Sequence, residues 1–164
     1  VGYWTMNASD SRVGTYKHTI KVNSTTAPQF IDLTDDVQLA VDNSKLQDGL
    51  VTVFTRHTTT AIVVQENEPL LLEDFKEFLG RIAPSEGNYR HNDFNRRTVH
   101  MHDDECPNGH SHCQQLLLGS SETIPLIDGK MPLGEWQRIF MIELDGEKAN
   151  MISHREVVVQ ILGY

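Results

Sequence analysis

Five of the eight histidines in this 164-residue chain fall between His91 and His112, in the stretch HNDFNRRTVHMHDDECPNGHSHC, together with Asp93, Asp103, Asp104, Glu105, Cys106 and Cys113. Imidazole is the commonest protein ligand for borderline transition metals and titrates nearest neutral pH, so the stretch is equipped to hold a metal, move a proton, or both. His100 and His102 share one face of an extended segment, but their acidic loop favours solvation. Cys106, His110, His112 and Cys113 are the alternative, a structural zinc site. Their spacing lacks the paired Cys-x-x-Cys knuckles of such sites.

Other candidates lie around this stretch. Glu66 and Asn67 precede Pro69; a carboxylate there can orient a metal-bound imidazole or act as general base, and Asn67 can cap the following helix or meet substrate. Asp93, two residues after His91, is a second acid-base candidate. Ser120 and Ser121 follow Gly119 in a turn whose hydroxyls and N–H groups suit an anion, and Arg155 stands at the mouth of the last strand, where a phosphate can pair with it.

Strands must do most of the positioning. Tyr16, His18, Ile20 and Val22 alternate with Lys17, Thr19 and Lys21, and Leu50 to Thr55 and Thr60 to Val64 flank Arg56-His57-Thr58-Thr59; these read as strands. Helices are expected over roughly 34 to 43, capped by Thr34, from Pro69 to Ile82, and from Asn108, as cap, to Leu117. Ser85 to Asn108 has no periodicity and reads as a loop, a length usually reserved for function or disorder. Glu122 to Ile127, Trp136 to Leu144 and Glu156 to Leu162 supply further strands, with hairpin or turn signals at Asp128-Gly129 and Asp145-Gly146. Turn-linked strands imply an α+β fold, a single domain over residues 1–164 in which a large antiparallel sheet or sandwich carries two or three helices. Residues 1–14 read as an N-terminal extension.

Composition narrows the function. The net charge of -9, from 23 acidic and 14 basic residues, argues against a nucleic-acid binder, whose affinity rests on Lys and Arg. No apolar run approaches the ~18 residues of a membrane span, and no targeting signal is visible, so a cytoplasmic protein is expected. The two cysteines read as reduced thiols.

The strings His57-Thr-Thr-Thr-Ala-Ile-Val-Val-Gln-Glu-Asn67, Asn88-Tyr-Arg-His91-Asn, Ser111-His112 through Leu118-Gly-Ser-Ser121, and Pro125 through Gln137 with Glu143 resemble the YjbQ-like family over about Tyr16 to Gly163. The usual Gly-Thr-Trp-Gln reads Gly134-Glu135-Trp136-Gln137, and the loop from Phe94 to Gly109 is longer and richer in His and Asp than the pattern. The resemblance implies an α+β antiparallel fold, a homotrimer, a His-bound divalent metal and a weak secondary thiamine phosphate synthase activity. It selects His57, His91 and His112 as ligands, which would leave an open position for water or substrate. Trp136 and Gln137 read as structural, at a subunit interface.

The expected function is therefore a metal-dependent enzyme acting on a small phosphorylated metabolite. The metal is expected to be zinc, or magnesium with a diphosphate substrate. Coupling a thiazole phosphate to a pyrimidine diphosphate with loss of pyrophosphate is the named candidate; a metal-dependent hydrolase and a noncatalytic metal- or metabolite-binding trimer are the alternatives.

Overall fold

The computed structural model describes residues 12–151 and 154–164, so most of the expected N-terminal extension lies outside the described residues. The strands are β1 (Gly14–Val22), β2 (Gln29–Asp32), β3 (Gly49–Thr55), β4 (Thr60–Glu66), β5 (Ser121–Leu126), β6 (Gln137–Glu143) and β7 (Arg155–Gly163). They form two antiparallel sheets, β1-β7-β3-β5 and β2-β6-β4. Helices α1 (Thr34–Ser44), α2 (Pro69–Ile82), α3 (Gly109–Leu118) and α4 (Gly146–Met151) complete the fold among the described residues, with a 3-10 turn at Arg90–Asn92.

The α+β reading holds, with the strands divided between two sheets. Val51, Val53, Ile124, Val157, Val159 and Ile161 of the first sheet pack on Ile62, Ile139 and Met141 of the second, and Val37, Ala40 and Val41 of α1 join that core. The opposite face of the second sheet presents Ala61, Phe140 and Ile142 to Leu79 of α2 and to Leu118 at the end of α3. Strand β6 is thus covered on both faces, and Ile139 to Glu143 are all buried. Its sequence is a continuous apolar run because neither face meets water.

The register puts defined ends together. Thr55 lies near Val157, Phe54 opposite Ser121, Thr60 opposite Glu143, and Val22 opposite Arg155. The end of β3 and the starts of β4, β5 and β7 therefore meet at the end of β6. Asp32, Glu66 and Gln137 mark the other end of the three-stranded sheet.

Several boundaries differ from expectation for physical reasons. Asp128 and Gly129 do turn, with φ of 50° and 73°, but they close only the Ile127–Lys130 bridge. The chain then crosses between sheets, so β5 and β6 do not form a hairpin. Glu68, not Asn67, caps α2, its carboxylate accepting from the N–H groups of Leu70 and Leu71 at 3.0 and 2.7 Å. Thr34 is the first residue of α1 instead of its cap; its hydroxyl donates to Asp32 and accepts from the Ile139 N–H. Asp145-Gly146 leads into α4 because Asp145 accepts from the Lys148 N–H.

Candidate functional site

The 3-10 turn and α3 bring two of the expected histidines together. Gly109 opens α3 with its N–H donated to Asn92 Oδ1 at 2.9 Å. A Cβ at Gly109 would lie 2.5 Å from Tyr89 Cβ, so the missing side chain lets the turn seat against the helix. His91 in the turn then meets His112, one turn into α3, with ring centroids 4.7 Å apart and planes at 68°. Burial, and next the neighbouring His91, hold the His112 pKa below its ordinary value. A lowered pKa favours the neutral ring that a metal ligand must present.

Behind this pair stands Asp145, 2% exposed. Its Oδ2 accepts from Asn108 Nδ2 at 2.7 Å, and its Oδ1 from the Lys148 N–H at 3.0 Å. Cys106 Sγ lies 3.9 Å from both carboxylate oxygens. Burial, with Asp145 beside it, pushes the Cys106 thiol up to about 11, so it stays protonated and is a poor zinc ligand. Cys106 is buried and Cys113 exposed.

Ser111 hydroxyl donates to the Leu144 carbonyl at 2.5 Å. Its single proton is thereby used, so the 3.2 Å contact with His110 Nε2 requires His110 to be the donor. His110 Nδ1 then carries the lone pair, buried and without a partner. Burial lowers the His110 pKa and Asp145 opposes that shift.

His57 occupies the β3–β4 junction at the same end of the sandwich. Its Nε2 accepts the Glu156 N–H at 2.9 Å, while Arg155 Nη1 faces Nδ1 at 3.5 Å. Burial, then Arg155, lowers its pKa. While Nε2 accepts the Glu156 N–H, a neutral ring carries its proton on Nδ1, so a ligand role would displace that bond. Arg155 itself is buried, its Nε and Nη2 bound to Glu143 at 2.6 and 2.7 Å. The strand-end arginine expected to meet a phosphate spends its charge inside the protein. Ser24 also donates to Glu143, at 2.7 Å.

The remaining expected residues scatter. The Ser120 carbonyl accepts from the Thr55 N–H and Ser121 starts β5, so both lie at the histidine end. Asp93 follows the 3-10 turn and faces Arg96 at 3.9 Å. Glu66 and Asn67 lie at the other end of β4, six residue steps from Thr60, or about 20 Å in an extended strand. There they line a cavity of about 300 Å³ with Asp32, Glu135, Trp136 and Arg138. Asn67 and Arg138 both donate to Asp32 Oδ2, at 3.0 and 2.8 Å. Burial pushes the Asp32 carboxyl up, but these bonds and those from Thr34 outweigh it and hold its pKa low. Among the described residues of one chain, no three His, Cys, Asp or Glu side chains are placed to hold a metal ion.

The donor set fits a divalent ion in part. Two imidazoles converge, and the buried Oδ1 of Asn108, the N-cap of the helix that carries His112, lacks a partner. The sequence reading placed Glu143 only in the family motif and Asp145 only in a turn, with no site role for either. The signal was there: acidic residues in the apolar run IFMIELD must be buried and partnered.

The model of the UPF0047 protein YjbQ-like family matches residues 18–164, and the chain belongs to this family. A UPF0047 protein of Archaeoglobus fulgidus is 38% identical over 82% of this chain and 91% of its own. One of Methanothermobacter thermautotrophicus is 34% identical over 90% of this chain and 92% of its own. Among solved structures, a YbjQ-like protein of unknown function from Sulfolobus solfataricus superposes with a TM-score of 0.76 at 28% identity, covering 94% of this chain and 100% of that one.

Proposed function

We propose that this chain is a metal-dependent enzyme of small phosphorylated metabolites, with His91 and His112 holding a divalent ion at the end of the sandwich. The observation that carries the reading is the 4.7 Å approach of these two rings, from elements that Gly109 and Asn92 lock together. Neutral imidazoles favour zinc, and a diphosphate substrate would favour magnesium. A bound ion of this kind supplies Lewis acidity and an activated water.

The chain's residues set limits on the chemistry. With Arg155 committed to Glu143 and Arg56 paired with Glu156 at 2.6 Å, two nearby cations are already compensated. That restricts stabilisation of a departing pyrophosphate, so a thiamine phosphate synthase activity fits as a weak secondary one. Metal-assisted hydrolysis places less demand on cationic groups. The same committed arginines favour the second reading, a noncatalytic metal- or metabolite-binding protein.

Homotrimeric assembly belongs to this proposal, supported by the outward face of the four-stranded sheet, where Leu50, Phe54 and Leu162 are 49%, 42% and 45% exposed. A cytoplasmic location is also part of it; no described helix is long and apolar enough to cross a membrane.

The test is metal content by elemental analysis, followed by turnover of a panel of phosphorylated metabolites. His91→Ala and His112→Ala are expected to lose the metal, and unchanged content in both rejects the assignment. His57→Ala separates a two-histidine from a three-histidine site. Retained metal with no turnover across the panel favours the noncatalytic reading.

A further inference from the structure

The N-terminal turn of α3 leaves two buried lone-pair donors without partners, His110 Nδ1 and Asn108 Oδ1, of which the second is an amide oxygen. Asn108 is 7% exposed, and its Oδ1 has no hydrogen-bond partner. Its amide orientation is fixed chemically: the Asp145 carboxylate accepts and cannot donate, so Nδ2 must face it at 2.7 Å and Oδ1 must face away. Asn108 also makes no side-chain cap bond to α3, so its oxygen is not occupied by the helix. A buried amide oxygen without a donor costs about 1–3 kcal/mol, and natural proteins rarely tolerate this without a ligand, ion or water.

Its surroundings point to a cation. Asn108 is the N-cap of α3, and His112 lies in the first turn of that helix. The His112 N–H donates to the Asn108 carbonyl at 3.3 Å, and the Asn108 side chain is held by Asp145. His112 in turn meets His91. We infer that Asn108 Oδ1 is a third ligand of the ion held by His91 and His112, with Asp145 orienting and polarising the carboxamide from behind. The inference rests on the metal reading above, but takes its third donor from α3 and not from His57. Two imidazoles and one amide oxygen make a neutral set suited to a borderline divalent cation with coordination positions left open.

Zinc affinity of the full chain, measured by competition with a chromophoric chelator, tests the assignment. Asn108→Ser keeps a hydroxyl to donate to Asp145 and removes Oδ1; it is expected to weaken zinc binding by about 10–100-fold and to shift the visible spectrum of the cobalt(II)-loaded protein. In wild-type protein labelled with ¹⁵N-asparagine, zinc is expected to move the Asn108 side-chain amide resonance, a readout that needs no variant to fold. Wild-type affinity and an unchanged cobalt spectrum in a folded Asn108→Ser protein overturn the inference, as does an unmoved Asn108 resonance on zinc saturation. A wild-type chain that takes up no metal overturns the underlying reading as well, so the two failures are distinct.

Discussion

Arg155 grips Glu143 through two parallel hydrogen bonds of 2.6 and 2.7 Å, with the Glu143 side chain fully removed from solvent and that of Arg155 5% exposed. The pair ties the start of β7 to the end of β6 and thereby joins the two sheets where the histidines gather. Neither charge has water to fall back on, so removing one strands the other.

Glu143→Gln is therefore expected to destabilise the fold by about 3–5 kcal/mol, read as a lower urea midpoint with unchanged slope. Arg155→Met should cost a similar amount, and the double variant less than the sum of the two. Additive losses would mean that the charges are not coupled as their geometry indicates. Arg155→Lys should not rescue, because an ammonium cannot span both oxygens.

Stability should also fall on mild acidification. His57, His110 and His112 all have pKa values lowered chiefly by burial, so the unfolded chain binds protons at a higher pH than the native one. Their neutral-state contribution is complete above the unfolded pKa of about 6.5 and is lost as pH falls toward the folded values. Urea unfolding in metal-free buffer at pH 8, 7, 6 and 5 should show stability dropping below about pH 6.5. His110→Asn, which preserves a donor to Ser111, should flatten that drop. A pH-independent stability over the range rejects the assignment of three depressed histidines.

Sequence patterns identified the strands that alternate or run apolar, and the family motifs selected three histidines, of which α3 and the 3-10 turn bring His91 and His112 together. What they did not convey was distance. Glu66 and Asn67 follow Thr60 closely in sequence, yet an extended strand carries them to the opposite end of the sheet. Strand β2 was lost because Gln29–Asp32 is four half-buried residues abutting the polar start of α1. Asn108 read as a helix cap since that is the commonest use of Asn before a helix; only the buried Asp145, 37 positions away, redirects its side chain.

The two thiols should differ sharply in reactivity. Cys113 is exposed, whereas Cys106 is buried against Asp145 with its thiol pushed up to about 11. Thiolate is the reactive form, so an Ellman titration of the native chain should show one fast thiol and release the second only on denaturation. Cys113→Ser should abolish the fast phase. A fast phase surviving in that variant would show that Cys106 is not sealed in as the hydrogen bonding around Asp145 indicates.

The outward face of the four-stranded sheet should be where copies meet. Leu50 and Leu162 stand side by side on β3 and β7, and Phe54 stands beside Val158 two rows along. This puts apolar residues on neighbouring strands of a face that, among the described residues, neither the second sheet nor a helix covers. The Thr52–Gln160 pair lies between these two rows, and apolar rows flanking a polar one suit a subunit contact that is only partly apolar. Replacing Phe54 and Leu162 together by Lys places one charge in each apolar row without touching the inner core, so the fold should survive. Light scattering should then report a threefold drop in mass from the proposed trimer, and thermal unfolding should lose its dependence on protein concentration. A double variant that stays trimeric moves the seam elsewhere on the surface. A wild-type chain that is monomeric at micromolar concentration rejects the trimer.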